Sequence, residues 1–148
     1  MPRRSDPATP ADHIGVDLWR AFRTYERAMY ERVAAIGFPD IAVADSDVLI
    51  HVSATGTRLA DIAKSHNLTK QSIHERVHSL IGRGYLALSA DPHDKRVKVV
   101  QLTERGLKLT MALTKVKQGL HREALAALGA ADMAKLREML ATIDAIFD

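Results

Sequence analysis

The sequence contains no cysteine. That excludes disulfides, thiolate zinc sites, cysteine nucleophiles and thiol-based redox sensing together. It also lacks any apolar run near the roughly 18 to 20 residues of a spanning helix. The opening MPRRSDPATP is not followed by the apolar core of a signal peptide. The expected location is therefore the cytoplasm. No internal repeat and no low-complexity tract is present. What remains is 148 residues, 47% apolar and 26% charged, a globular composition at the length of one domain. Nothing in it requires a cofactor.

The net charge of +3 is mild, but its placement is uneven. Between Arg58 and Lys108 there are 10 Lys/Arg against 5 Asp/Glu, while the rest of the chain holds 11 against 13. One contiguous third is basic, which points to a polyanion as partner.

Three proline and two arginine residues within positions 1–11 predict a flexible arm. From Asp12 to about Gly37, apolar residues fall at Ile14, Leu18, Phe22, Tyr25, Met29, Val33 and Ile36. Steps of three and four predict a long amphipathic helix. A second helix is expected from Asp45 or Ser46 to Ala54, then a short one over LADIAKSH, closed by Asn67. Thr69 is a natural N-cap for the next helix, with Leu68 and Ile73 placed to staple its entry. That helix turns Ile73, Val77, Leu80 and Ile81 inward and stops at Gly82-Arg83-Gly84. YLALSA and VKVVQL read as two strands joined by the charged turn DPHDKR. Thr103 caps a further helix, with Leu102 and Leu107 as a second staple pair, and after Gly129 a last helix carries Met133, Leu136, Leu140, Ile143 and Phe147. The expected fold is mainly α with a small β-hairpin wing, a winged helix-turn-helix on a helical platform. Its outer helices are too apolar on one face for a body this small, so a homodimer is expected.

Within the fourth of these helices stands His74-Glu75-Arg76-Val77-His78, the H-E-x-x-H spelling of a zinc hydrolase. In that chemistry two His one turn apart hold the metal and the Glu is general base. The extended form of the motif would need Gly at 81 and His at 84, where Ile81 and Gly84 stand. On a wheel of about 100° per residue the two His flank the inward stripe and border a polar face, which needs no metal to explain it. No metal site is expected.

The stretch DPHDKRVKVVQLTERG, Asp91 to Gly106, resembles the wing of the MarR (multiple antibiotic resistance regulator) family. Asp94, Arg96, Leu102, Thr103 and Gly106 fall on that family's Asp-x-Arg tip and Leu-Thr-x-x-Gly junction. RLADIAKSHNLTKQSIHERVHSLIGRGYL resembles its helix-turn-helix, and the likeness extends over about residues 12–147. The resemblance implies a dimeric, sequence-specific regulator of transcription, a repressor rather than an enzyme, released from DNA by a small effector. It implies an organisation with dimerisation helices over 12–44 and 103–148 and the winged helix-turn-helix over 45–102, within a single domain 12–148. Double-stranded DNA with a pseudo-palindromic operator is the expected partner.

The residues agree with those roles. Thr69, Lys70, Gln71, Ser72 and His74 give the start of the recognition helix the donors and acceptors a major groove requires. Gln71 suits an adenine edge, Lys70 or Arg76 a phosphate or guanine, and Glu75 either a cytosine amino group or repulsion of a phosphate. In the wing, His93, Lys95 and Lys98 lie close to phosphate, and Asp94 orients Arg96 toward a narrow minor groove. Trp19, Arg23 and Tyr30 share a face of the first helix, with His51 near, and would suit a small aromatic or anionic effector. Trp19 and Tyr30 read more plainly as dimer-interface core. Two other classes stay open: a winged-helix module that binds an acidic protein without reading DNA, and a zinc hydrolase using His74, Glu75 and His78.

Overall fold

The computed structural model describes residues 13–64 and 69–147. The arm over 1–11, Asn67 as a helix end, and Leu68 as half of a staple lie outside them. Among the described residues are six helices and three strands: α1 (Ile14–Ala35), α2 (Val43–Leu49), β1 (Thr57–Arg58), α3 (Leu59–Lys64), α4 (Lys70–Gly82), β2 (Leu86–Ala90), β3 (Lys98–Leu102), α5 (Glu104–Leu128) and α6 (Ala130–Phe147). This is the mainly helical winged fold expected, with two local corrections.

The second helix starts earlier and ends sooner than its sequence suggests. Asp45 is not the cap; its carboxylate reaches back one turn to accept the Ala42 N–H at 2.8 Å, so the helix begins at Val43. It ends at Leu49 because a local hydroxyl network takes over beyond it. Ser53 N–H donates to Thr57 Oγ1, and Ser53 Oγ donates to the Gly56 carbonyl. The wing is also a three-stranded sheet in the order β1-β3-β2, not a two-stranded hairpin. β1 is two residues long, pairing Thr57 with Val100 and Arg58 with Val99. A pair that short has no periodicity to betray it.

The core lies between the sheet and helices α1 to α5. Val33, Val48, Ile62, Ile73, Val77, Leu80, Tyr85, Val100 and Leu109 are fully enclosed. Leu80 and Tyr85 are linked by the exit of α4: Gly84 adopts φ +78°, and the reversed chain lets Tyr85 N–H donate to the Leu80 carbonyl. Only Met29 and Val33 of the α1 apolar stripe are buried, while Ile14, Phe22, Tyr25 and Ile36 stay exposed. Of α6 no residue is buried.

Polar groups join platform to winged unit around Asp40. The Tyr85 hydroxyl donates to Asp40, Arg105 donates to both Asp40 and Tyr85, and the Arg105 guanidinium lies 4.4 Å over the Tyr85 ring. Arg83, just past α4, forks onto the buried Asp45 at 2.7 and 3.0 Å and also donates to the Asp40 carbonyl. The Tyr85 hydrogen bond, helped by Arg105 and Arg83, holds the Asp40 carboxyl below the usual aspartate range. Burial first, then Asp40, pushes the Tyr85 phenol up, so it stays a donor.

A depressed carboxyl makes the fold acid-sensitive. The stability Asp40 contributes is complete above its ordinary value of about 4 and fades as pH falls through the lower folded-state value. Urea midpoints of wild type and Asp40→Asn, measured from pH 7 down to pH 3, should therefore converge at the acid end. Parallel profiles would show that the carboxylate contributes nothing.

Candidate nucleic-acid interface

α4, the candidate recognition helix, is built as its sequence suggests. Thr69 sits in extended backbone and its hydroxyl oxygen accepts the Ser72 N–H at 3.2 Å, capping α4. Ile73, Val77 and Leu80 are at 0% exposure, which fixes the rotation of the helix about its axis. Lys70, Gln71, His74, Glu75 and His78 are exposed in consequence, and Ser72 is half-buried against its cap.

Two side chains on this helix are engaged in ways the sequence left open. Gln71 Nε2 donates to Glu75 Oε1 at 3.1 Å, one turn along. Arg76 turns back toward the platform, donating to the Ala44 carbonyl at 2.7 Å. It braces α4 against α2 here, where phosphate or guanine was the expectation. His74 and His78 gather no further ligand: among the described residues no group of three or more His, Asp or Glu is placed to hold a metal.

The wing tip has its own scaffold. Asp91, buried at the end of β2, accepts the His93 N–H at 2.8 Å and takes Arg58 Nη2 of β1 at 3.2 Å. Its backbone N–H donates to the Val97 carbonyl, closing the loop. The turn's hydrogen bond from His93, with Arg58 in support, keeps the Asp91 carboxyl low. Within that loop Asp94 grips Arg96 three times: Oδ1 accepts the Arg96 N–H at 3.0 Å and Nε at 3.1 Å, and Oδ2 accepts Nη2 at 3.3 Å. The Arg96 bonds hold the Asp94 carboxyl low in turn. The Arg96 side chain is 91% exposed all the same. Three of its five N–H groups therefore remain to donate outward from a fixed plane. His93, Lys95 and Lys98 are exposed around it.

Arg58 and Asp91 brace this candidate tip, and neither stands out in the sequence. An Asp-Pro step opening a charged turn was visible, but its partner lies 33 positions away.

The four residues expected at an effector site are not gathered in one place. Trp19 and Arg23 line a groove of 410 Å³ on α1 with Arg20, Arg27 and Val43. Arg23 donates to the buried Glu26 there at 2.8 Å. Tyr30 lines a different cavity, of 160 Å³, between α1, α2 and α5, beside Ser46, Thr114 and Lys117. His51 lines neither; its carbonyl accepts the Thr57 hydroxyl. Lys117, on a helix whose sequence shows mainly an apolar stripe, also lines the Tyr30 cavity.

Residues 45–106 match the family described as a winged helix DNA-binding domain. No protein of curated function matches the chain in sequence. Several solved structures share its fold. A mutant MarR from E. coli complexed with operator DNA superposes with a TM-score of 0.73 at 22% identity, over 94% of this chain and 99% of that one. CouR from Rhodococcus jostii RHA1, bound to p-coumaroyl-CoA, gives 0.68 at 23%, over 92% and 94%. BpsR of Bordetella bronchiseptica, whose DNA binding is regulated by 6-hydroxynicotinic acid, gives 0.68 at 21%, over 94% and 98%. The helical platform is thus shared along with the wing. Among the described residues no helix is long and apolar enough to cross a membrane.

Proposed function

We propose that this chain, which has the winged helix fold of the MarR-family transcription factors, is a dimeric, sequence-specific repressor of transcription acting in the cytoplasm. The observation that carries this reading is Arg96: fully presented to solvent, yet held in plane by the Asp94 fork, at the tip of a wing braced by Arg58 and Asp91. An ion pair left on a surface contributes little to stability, and so much orientation at an exposed tip suits recognition better. The exposed polar start of α4, Thr69 to Glu75, supplies the major-groove half. Its backbone N–H groups suit a phosphate as well.

The partner in dimerisation is a second copy. Residues 12–44 and 103–148 carry Trp19, Phe22, Met111, Met139, Leu140 and Phe147, all at 40% exposure or more in the single chain. So many large apolar side chains left exposed on the platform helices suit burial against a second copy. The unit over 45–102 then reads DNA. An effector would enter between the two parts, and the cavity with Tyr30, Ser46, Thr114 and Lys117 suits a small aromatic acid: hydroxyls around the ring, an ammonium for the carboxylate. No catalytic role is assigned to Glu75.

Selection from random duplexes, with sedimentation in parallel, tests the reading. Two recognition helices about 34 to 36 Å apart should select an imperfect palindrome of roughly 16 to 20 base pairs, by a dimer. A monomer at micromolar concentration, or a site without two-fold symmetry, counts against it. Binding without base preference would favour the protein-interaction reading instead.

A further inference from the structure

We propose that Glu75 determines base specificity through Gln71, holding its amide in the one orientation that reads adenine and refuses guanine. The proposal rests on the DNA-binding reading above. Its starting point is the 3.1 Å hydrogen bond from Gln71 Nε2 to Glu75 Oε1 on the exposed start of α4.

A carboxylate only accepts, so it can face only the NH₂ end of the amide. This removes the two-fold ambiguity of a group whose ends are otherwise nearly alike in shape. One of the two amide hydrogens is occupied by Glu75. The carbonyl oxygen and the other N–H remain, an acceptor beside a donor along the opposite edge.

In the major groove adenine offers the complement of that pair, an amino donor at N6 beside an acceptor at N7. Guanine offers two acceptors, O6 and N7. An unrestrained glutamine would meet guanine by giving one amide hydrogen to each. With one hydrogen held by Glu75 that option is closed, and the carbonyl oxygen is left facing a lone pair. Glu75 is thus a positioning residue: it need touch no base to exclude one.

The measurement is titration of the selected operator and its single-base variants with wild type, Gln71→Ala, Glu75→Ala, Glu75→Gln and the Gln71→Ala/Glu75→Ala double variant. Circular dichroism checks that the fold is unchanged. Gln71→Ala should identify one A·T pair in each half-site that it alone ceases to prefer. At that pair Glu75→Ala should reduce the preference for adenine over guanine on the order of tenfold, the scale of one bidentate contact. Glu75→Gln, whose amide can either accept from Gln71 or donate to it, gives back the two-fold choice and should fall between wild type and Glu75→Ala. The double variant should be no worse there than Gln71→Ala.

Three results overturn the proposal while leaving the protein a DNA reader. One is equal tightening of every duplex by Glu75→Ala and Glu75→Gln, which marks a charge that repels phosphate. Another is an effect of Glu75→Ala that persists at a separate base pair in the Gln71→Ala background, which marks direct contact. The third is no effect at all. If wild type selects no duplex, the DNA-binding reading falls and takes this proposal with it.

Discussion

Replacing Arg96 with alanine is expected to weaken operator binding by about 1 to 3 kcal/mol and to flatten the preference for A·T pairs flanking the half-sites. The reason is in the geometry of the tip. Asp94 occupies Nε and one Nη2 hydrogen, so the guanidinium reaches its target with little conformational freedom left to lose. A narrow minor groove concentrates negative potential, and a planar cation inserted there senses groove width, which A·T runs set. Asp94→Ala keeps the cation but frees it, and should fall between wild type and Arg96→Ala. Competition titrations against operators with G·C substituted in the flanks would separate lost affinity from lost preference. Equal affinity of wild type and Arg96→Ala would mean that the wing does not touch DNA.

Gly106→Ala should cost the fold about 2 to 3 kcal/mol, the upper part of the range for overpacking a tight site. A Cβ at this position would lie 2.1 Å from the Tyr85 carbonyl oxygen and 3.1 Å from Leu102 Cδ2. The first contact is with backbone, which cannot step aside as a side chain can. That carbonyl is also held from a second direction, since Thr103 N–H donates to it at 3.1 Å. The Thr103 hydroxyl, having capped α5 at Gly106 N–H, donates to the neighbouring Gly84 carbonyl at 2.5 Å. Displacing α5 would therefore break the joint between platform and wing strand. Gly82→Ala is the internal control. Its Cβ would meet nothing within 4 Å at the end of α4, and it should be neutral or slightly stabilising. Urea denaturation of the three proteins decides it; Gly106→Ala within about 0.5 kcal/mol of wild type, the scatter of ordinary surface changes, would show that the junction can relax.

These two residues also show what the sequence could disclose. Arg96 and Asp94 are two positions apart, so their fork is local and was legible as a pattern. Gly106 was legible as a family position, but not its reason, because the Tyr85 carbonyl comes from the segment just before β2, far back in the chain. The long helices α1, α4, α5 and α6 were readable from their 3.6-residue stripes, and Thr69 and Thr103 from their capping chemistry. The contacts that assemble those pieces were not. Arg58 finds Asp91 across 33 positions, Arg83 finds Asp45 across 38, and Arg105 finds Asp40 across 65. Each is a charge whose partner is chosen by topology, and no local pattern encodes that choice. The Arg76 contact with α2 was hidden for a subtler reason. Arg76 borders the inward stripe of α4 on the side away from His74, where a long side chain is as able to reach α2 as solvent. The Gln71–Glu75 bond was hidden as well, because a sequence gives residue spacing but not which of two neighbours a carboxylate selects.

α6 has 18 residues and buries none of them. A helix of that length is marginal in water by itself, since nucleation and ordering entropy nearly cancel its hydrogen bonds. The enclosed side chains lie mostly from α1 to β3, with Leu109 and Val116 of α5 beyond them and none in α6, so cohesion is unevenly shared along the chain. In a solitary protomer the C-terminal end would open first, and at little cost, while the winged unit stayed closed. In the proposed dimer, ordering α6 and associating become one equilibrium, and protein concentration enters its free energy as directly as temperature does. Dilution, rather than heat, is then the gentlest way to loosen this protein.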